Sequence, residues 1–134
     1  MKIEKTSSVK FQVSSFDDDK PREACGIFGI YDHAEAAALT YFGLYALQHR
    51  GQEGAGIATW GPGGNLHFLK GRGLVAESLP TYKVERLPGE MAIGHVRYST
   101  VPADRTENIQ PFIATLPFGQ LAVGHNGNVK NAAA

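Results

Sequence analysis

The chain has 134 residues, enough for one domain, and its 43% hydrophobic and 19% charged content is that of a protein with a packed core. Lys plus Arg and Asp plus Glu number 13 each, so no basic field exists to collect the phosphates of a nucleic acid. One cysteine excludes an internal disulfide, no Cys/His spacing fits a zinc site, and no apolar run reaches the length of a membrane span, which together point to a soluble protein in a reducing, cytoplasmic compartment.

Residues 1–24 carry five charges of each sign among serines and isolated apolar residues. They hold no helical or strand period and lack the apolar stretch of a secretory signal. They read as a leader ahead of a domain spanning 25–134, an ordinary disordered N-terminus being the alternative. At Cys25 this polar segment meets an apolar run, and Gly26–Tyr31 predicts a short buried strand. Asp32, with Glu35 three residues on, reads as the N-cap and capping box of a helix over 33–48, whose Leu39, Phe42, Ala46 and Leu47 share a face. The helix ends in "HRG", with Gly51 suited to a left-handed cap. Strands are expected over 56–60 and 66–70, separated by the turn "GPGGN", and a weaker helical segment over 74–87 is interrupted by Pro80. "MAIGHVRY" (91–98) predicts a strand, 102–108 a polar loop, and 112–116 and 121–124 two more strands. Paired strands with one clear helix make the class α+β with antiparallel sheet. "CGIFGIY" and "MAIGHV" are apolar on both faces, which predicts sheets covered on both sides and therefore stacked layers. The chain stops at "NVKNAAA", just after a strand–turn unit, which predicts a domain truncated at its C-terminus.

Four stretches could carry chemistry, and each also has a plain structural explanation. Cys25 could be a small buried thiol at a strand start. If the leader were removed, however, its thiol and a new α-amine would share one residue. An α-amine titrates near pH ~8, so its neutral fraction could serve as the base for its own side chain without a catalytic histidine. Arg97, at the end of a strongly apolar strand in "GHVRYST", needs an anion: either an internal carboxylate or the α-carboxylate of an amino-acid substrate, with Thr100 adding a hydroxyl. "GHNGNV" could be an ordinary hairpin turn; equally, the Asn126 amide and the Gly127 N–H could converge as an oxyanion hole. In "LQHRGQEGAG", Arg50 and Gly51 could end a helix, or could position the chain terminus at Cys25 from behind the site. His49, His95 and His125 each stand beside one of these stretches, without metal-ligand spacing.

Together "ACGIFGIY", "LQHRGQEGAGI", "GHVRYST", "NIQPF" and "GHNGN" stand in the order and approximate spacing of the class II glutamine amidotransferases, which the chain resembles from Cys25 to about Asn131. The resemblance is nearest to members that feed ammonia to a phosphoribosyltransferase domain acting on PRPP. It implies an N-terminal-nucleophile hydrolase fold, a four-layer αββα sandwich of which this chain is the N-terminal part. It implies Cys25 as nucleophile after loss of residues 1–24, Arg97 as the carboxylate grip, and Asn126 with Gly127 as the oxyanion hole. Glutamine would be hydrolysed to supply ammonia for phosphoribosylamine, opening purine synthesis. The glutaminase part needs no cofactor; Mg2+ and, in some members, an iron–sulfur cluster belong to the absent remainder. The full-length protein is expected to be a homo-oligomer that binds neither nucleic acid nor membrane. This chain alone is expected to be inactive, the alternative readings being a catalytically silent fragment or pseudoenzyme that binds an amino acid or a partner, or the glutaminase domain of another class II amidotransferase.

Overall fold

The structure is a computed structural model, and it describes residues 25–50, 53–98 and 106–127. In chain order the elements are β1 (Gly26–Tyr31), α1 (Ala36–Leu47) with a 3-10 turn Gln48–Arg50, β2 (Gly54–Trp60), β3 (Leu66–Arg72), two single-turn helices α2 (Val75–Ser78) and α3 (Thr81–Val84), β4 (Met91–Arg97), β5 (Phe112–Leu116) and β6 (Gly119–Val123). The first four strands form one antiparallel sheet in the order β1-β4-β2-β3, and β5 pairs with β6 in a separate hairpin. β1 and β2 both run antiparallel to β4, so they are parallel to each other. A parallel connection needs a crossover, and α1 supplies it.

Alternation along the strands sorts their side chains onto two faces. One face carries Ala55, Ile57, Ala92 and Val96, which pack with Ala36, Ala37 and Leu44 of α1 and with Val75, Leu79 and Val84 of α2 and α3. The opposite face carries His95 and its ladder partner Gly56, and the segment leading into β5 lies over it. The described residues therefore give three layers of the expected sandwich: helices, a four-stranded sheet, and a hairpin. The class is α+β.

Several details differ from the sequence expectation. Asp32 does not cap α1: it adopts a left-handed φ of 59°, and the next residue donates from its N–H to Glu90 O at 3.0 Å. That bond ties His33 to the approach to β4, so the chain turns through His33–Glu35 before the helix starts at Ala36. Glu35 N–H is met by His33 Nδ1 at 3.0 Å, so His33 takes over part of the capping. The buried face of α1 is Ala36, Ala37, Thr40 and Leu44, with Leu47 packing against the core; Phe42 and Ala46 point outward. Bulk was a poor guide because α1 lies close to the sheet over Gly94. A Cβ there would sit 2.6 Å from Thr40 Cγ2 and 2.8 Å from Leu44 Cδ1. The missing side chain at Gly94 permits that approach, with Thr40 and Leu44 seated over it.

The helical segment over 74–87 is two turns broken at Pro80, which stands at the N-terminus of α3. Two-sided cover holds for β2 and β4, whose residues are mostly buried, but not for β1. Ile27 is 42% and Tyr31 79% exposed, because β1 is an edge strand and the β5–β6 hairpin sits toward the β3 side, where Gln120 Oε1 accepts from Leu66 N–H at 3.1 Å. Strands β2 and β3 run longer than expected, beginning at Gly54 and ending at Arg72, and β6 spans Gly119–Val123. The leader at 1–24, Gly51 and Thr100 lie outside the described residues.

Candidate active site

The site grows from the ends of β1 and β4. Gly26 pairs with Val96, so Cys25, one step earlier, lies alongside Arg97, on the order of 5 Å away in backbone terms. Cys25 is 9% exposed, and its Sγ donates to Tyr98 O at 3.5 Å. The glycine after it is required by packing: a Cβ at Gly26 would meet Val96 Cγ2 at 2.8 Å and Leu47 Cβ at 3.0 Å. The last residue of α1 thus presses directly beside the nucleophile candidate. That contact brings the following turn, Gln48–Arg50, to the Cys25 end of the sheet.

Arg97 ends β4 and is surrounded by acceptors of this chain. Its Nη1 donates to Asn108 O, and its Nε lies 3.5 Å from Glu53 Oε2, within ion-pair reach but without hydrogen-bond alignment. Glu53 is held by the same strand end, its N–H donating to Arg97 O at 3.1 Å. Sequence reasoning missed Glu53. The signal was available in "RGQEGAG", where an acidic residue immediately precedes a strand, but only the β2–β4 register shows which cation it faces.

The third part is the turn after β6. Asn126 and Gly127 are exposed, and Gly127 has a φ of 154°, in the region that favours glycine. Among the described residues a Cβ at Gly127 would meet nothing within 4 Å. The preceding His125 is tied to the sheet: His95 Nε2 lies 3.0 Å from His125 O, and Gln110 Oε1 accepts from His125 N–H at 2.7 Å. His95 is fully buried. Burial pushes its pKa down to about 4, the bond to His125 O opposes this, and the His125 ring and Arg97 push it further down. The imidazole is therefore neutral at cellular pH, with its proton on Nε2 facing the carbonyl.

The structure thus places Cys25 beside Arg97 at one end of the sheet, and joins the residue before Asn126 and Gly127 to β4 through His95. Among the described residues no group of His, Cys, Asp or Glu could hold a metal ion. No helix there is long and apolar enough to cross a membrane. A separate hollow, lined by Tyr31, Asp32, Trp60 and Glu90, opens at the opposite end of the sheet and contains none of the expected site residues.

No family model matches the chain. It is similar to the chloroplastic amidophosphoribosyltransferase 1 of Arabidopsis thaliana, at 56% identity over 115 residues, covering 86% of this chain and 20% of that enzyme. Among solved structures it is similar to the allosteric regulatory enzyme of purine biosynthesis, with a TM-score of 0.73 at 46% identity over 80% of this chain and 23% of that one. It is also similar to the glutamine PRPP amidotransferase of Bacillus subtilis complexed with ADP and GMP, with a TM-score of 0.70 at the same identity and coverage. The chain spans about a fifth of the length of these relatives.

Proposed function

The chain belongs to the amidophosphoribosyltransferase family, matching one segment of about a fifth of those enzymes' length, and from that premise we propose that it is part of their glutamine-hydrolysing domain. The observation that carries this reading is the placement of Cys25: a buried thiol one step before an edge strand and alongside Arg97. Removal of residues 1–24 would give Cys25 an α-amine. That amine takes the thiol proton, and Sγ attacks the side-chain carboxamide carbon of glutamine. The Asn126 amide and Gly127 N–H stabilise the resulting oxyanion, a contribution of roughly 3 kcal/mol per donor in comparable sites. The ammonium formed on the α-amine returns its proton to the departing nitrogen, which leaves as ammonia. Water then hydrolyses the thioester to glutamate and restores the thiol. Arg97 grips the substrate α-carboxylate with its planar fork, exchanging its contact with Glu53 for a bidentate one, and Thr100 adds a hydroxyl. Arg50 and Gly51 position the new terminus.

In the full-length protein the ammonia would meet PRPP in a phosphoribosyltransferase domain, forming phosphoribosylamine at the start of purine synthesis. The glutaminase chemistry calls on no cofactor. Mg2+ and any iron–sulfur cluster would be held outside this chain, whose one cysteine cannot ligate a cluster. The reading includes a homo-oligomer and, for the thiol, a reducing compartment such as the cytoplasm.

Intact-mass analysis of the full-length protein, paired with a glutaminase assay, tests the reading. The active species begins at Cys25, and Cys25→Ala abolishes glutaminase. A fully active enzyme retaining Met1–Ala24 would overturn it. The Arg97–Glu53 pairing favours a second reading, in which the ion pair is structural and the chain is catalytically silent. A full-length protein that begins at Cys25 and shows no glutaminase would favour that one.

A further inference from the structure

The string "NIQPF" was conspicuous in the sequence and had no chemical role there. The structure ties it to three of the other four strings around one residue, His125. His125 stands just past the end of β6, immediately before Asn126 and Gly127, and both of its backbone polar groups are taken by side chains. His95 of "GHVRYST" donates from Nε2 to His125 O at 3.0 Å, and Gln110 of "NIQPF" accepts from His125 N–H at 2.7 Å. Both side chains belong to buried residues, His95 at 0% and Gln110 at 6% exposure, so both bonds are partly shielded from water. Gly56 of "LQHRGQEGAGI" makes room for the second arm. A Cβ at Gly56 would run into Gln110 O and come within 3.1 Å of Pro111 Cδ, so only glycine lets this segment lie flat on the sheet beside His95. The ring of His125 is also held, its centroid 6.2 Å from that of Phe112.

We infer that His95 and Gln110 are positioning residues that hold the backbone of His125 at its carbonyl and its N–H and so fix the turn presenting Asn126 and Gly127. This rests on the reading of those two residues as the oxyanion hole. The two arms come from different layers, β4 of the four-stranded sheet and the approach to β5, so the turn is referenced to both at once. An exposed turn whose donors must meet an oxyanion within a few tenths of an ångström needs such support, because the donors themselves have few contacts. That hold also explains a cost. His95 Nδ1 is buried without a hydrogen-bond partner, and a core imidazole is retained although a hydrophobic residue could fill its place.

The test compares variants of the full-length enzyme by steady-state glutaminase kinetics. Gln110→Met removes the acceptor at similar volume, and Gln110→Glu restores an acceptor oxygen. Gln110→Met lowers kcat by ~10- to 100-fold while the KM for glutamine stays within about 3-fold, because misplacing a donor by ~1 Å harms the transition state more than the ground state. Gln110→Glu recovers most of that loss. In an Asn126→Ala background the loss from Gln110→Met shrinks, since the donor being positioned is gone. If Gln110→Met does not fold, His95→Leu and His95→Gln make the same comparison from the other arm, with Gln able to donate where Leu cannot. A kcat unmoved by losing either arm, or a loss of equal size with and without Asn126, overturns the inference and leaves the oxyanion reading standing. An Asn126→Ala variant with undiminished kcat removes that reading itself.

Discussion

His95 makes the stability of this fold depend on pH in a way that can be worked out in advance. The side chain is fully buried and neutral, with its pKa pushed down to about 4 from an ordinary value of 6.5. The groups bearing on it are the His125 ring and the Arg97 guanidinium, both of which disfavour a second positive charge; its ladder partners Ile27 and Gly56 are apolar. As pH falls below 6.5 the unfolded chain takes up the proton and the folded chain does not. The neutral-state advantage is complete above pH 6.5, is lost between 6.5 and 4, and changes no further below 4, where both states are protonated. A difference of 6.5 − 4 = 2.5 units corresponds to roughly 3 kcal/mol, with a limiting slope of about 1.4 kcal/mol per pH unit. Urea unfolding of the native sequence and of His95→Gln at pH 7, 6, 5 and 4 isolates this effect, because the difference between the two curves cancels the other titrating groups. The native protein should lose about 3 kcal/mol more than the variant over that interval. Parallel curves, or an imidazole signal for His95 titrating near 6.5 by NMR, would refute the claim that a buried neutral ring anchors the turn.

Gly94→Ala should cost roughly 1–3 kcal/mol in chemical denaturation, since the added methyl meets Thr40 and Leu44, both fully buried on α1. A change under about 0.5 kcal/mol would mean that α1 can retreat from the sheet. Arg97→Lys should raise the KM for glutamine by ~10-fold or more with kcat largely kept, because lysine retains the charge but not the two-pronged fork; an unchanged KM in initial-rate measurements would remove Arg97 from the carboxylate role.

The strand inventory was legible in the sequence because its signals are local. Alternation and apolar runs placed β1, β4 and β5 within a residue of their observed bounds, and Pro80 marked the break between α2 and α3. The nucleophile candidate could likewise be singled out, as the one thiol at the seam between a polar and an apolar segment. Which face of α1 is buried could not be read this way. That depends on the absence of a side chain at Gly94, a residue some fifty positions away on β4, and only packing reveals that Thr40 and Leu44 of α1 settle there. The partners of the site were hidden for the same reason. Glu53 faces Arg97 because β2 and β4 are neighbours despite a strand and two single-turn helices between them. His95, His125 and Gln110 stood in three strings noticed separately, and their meeting depends on a sheet order in which β4 is inserted between β1 and β2. Sequence by itself determined which residues have the chemistry. Tertiary structure decided which of them act on one another, because hydrogen bonds and charge pairs extend only a few ångströms and chain separation does not predict that distance.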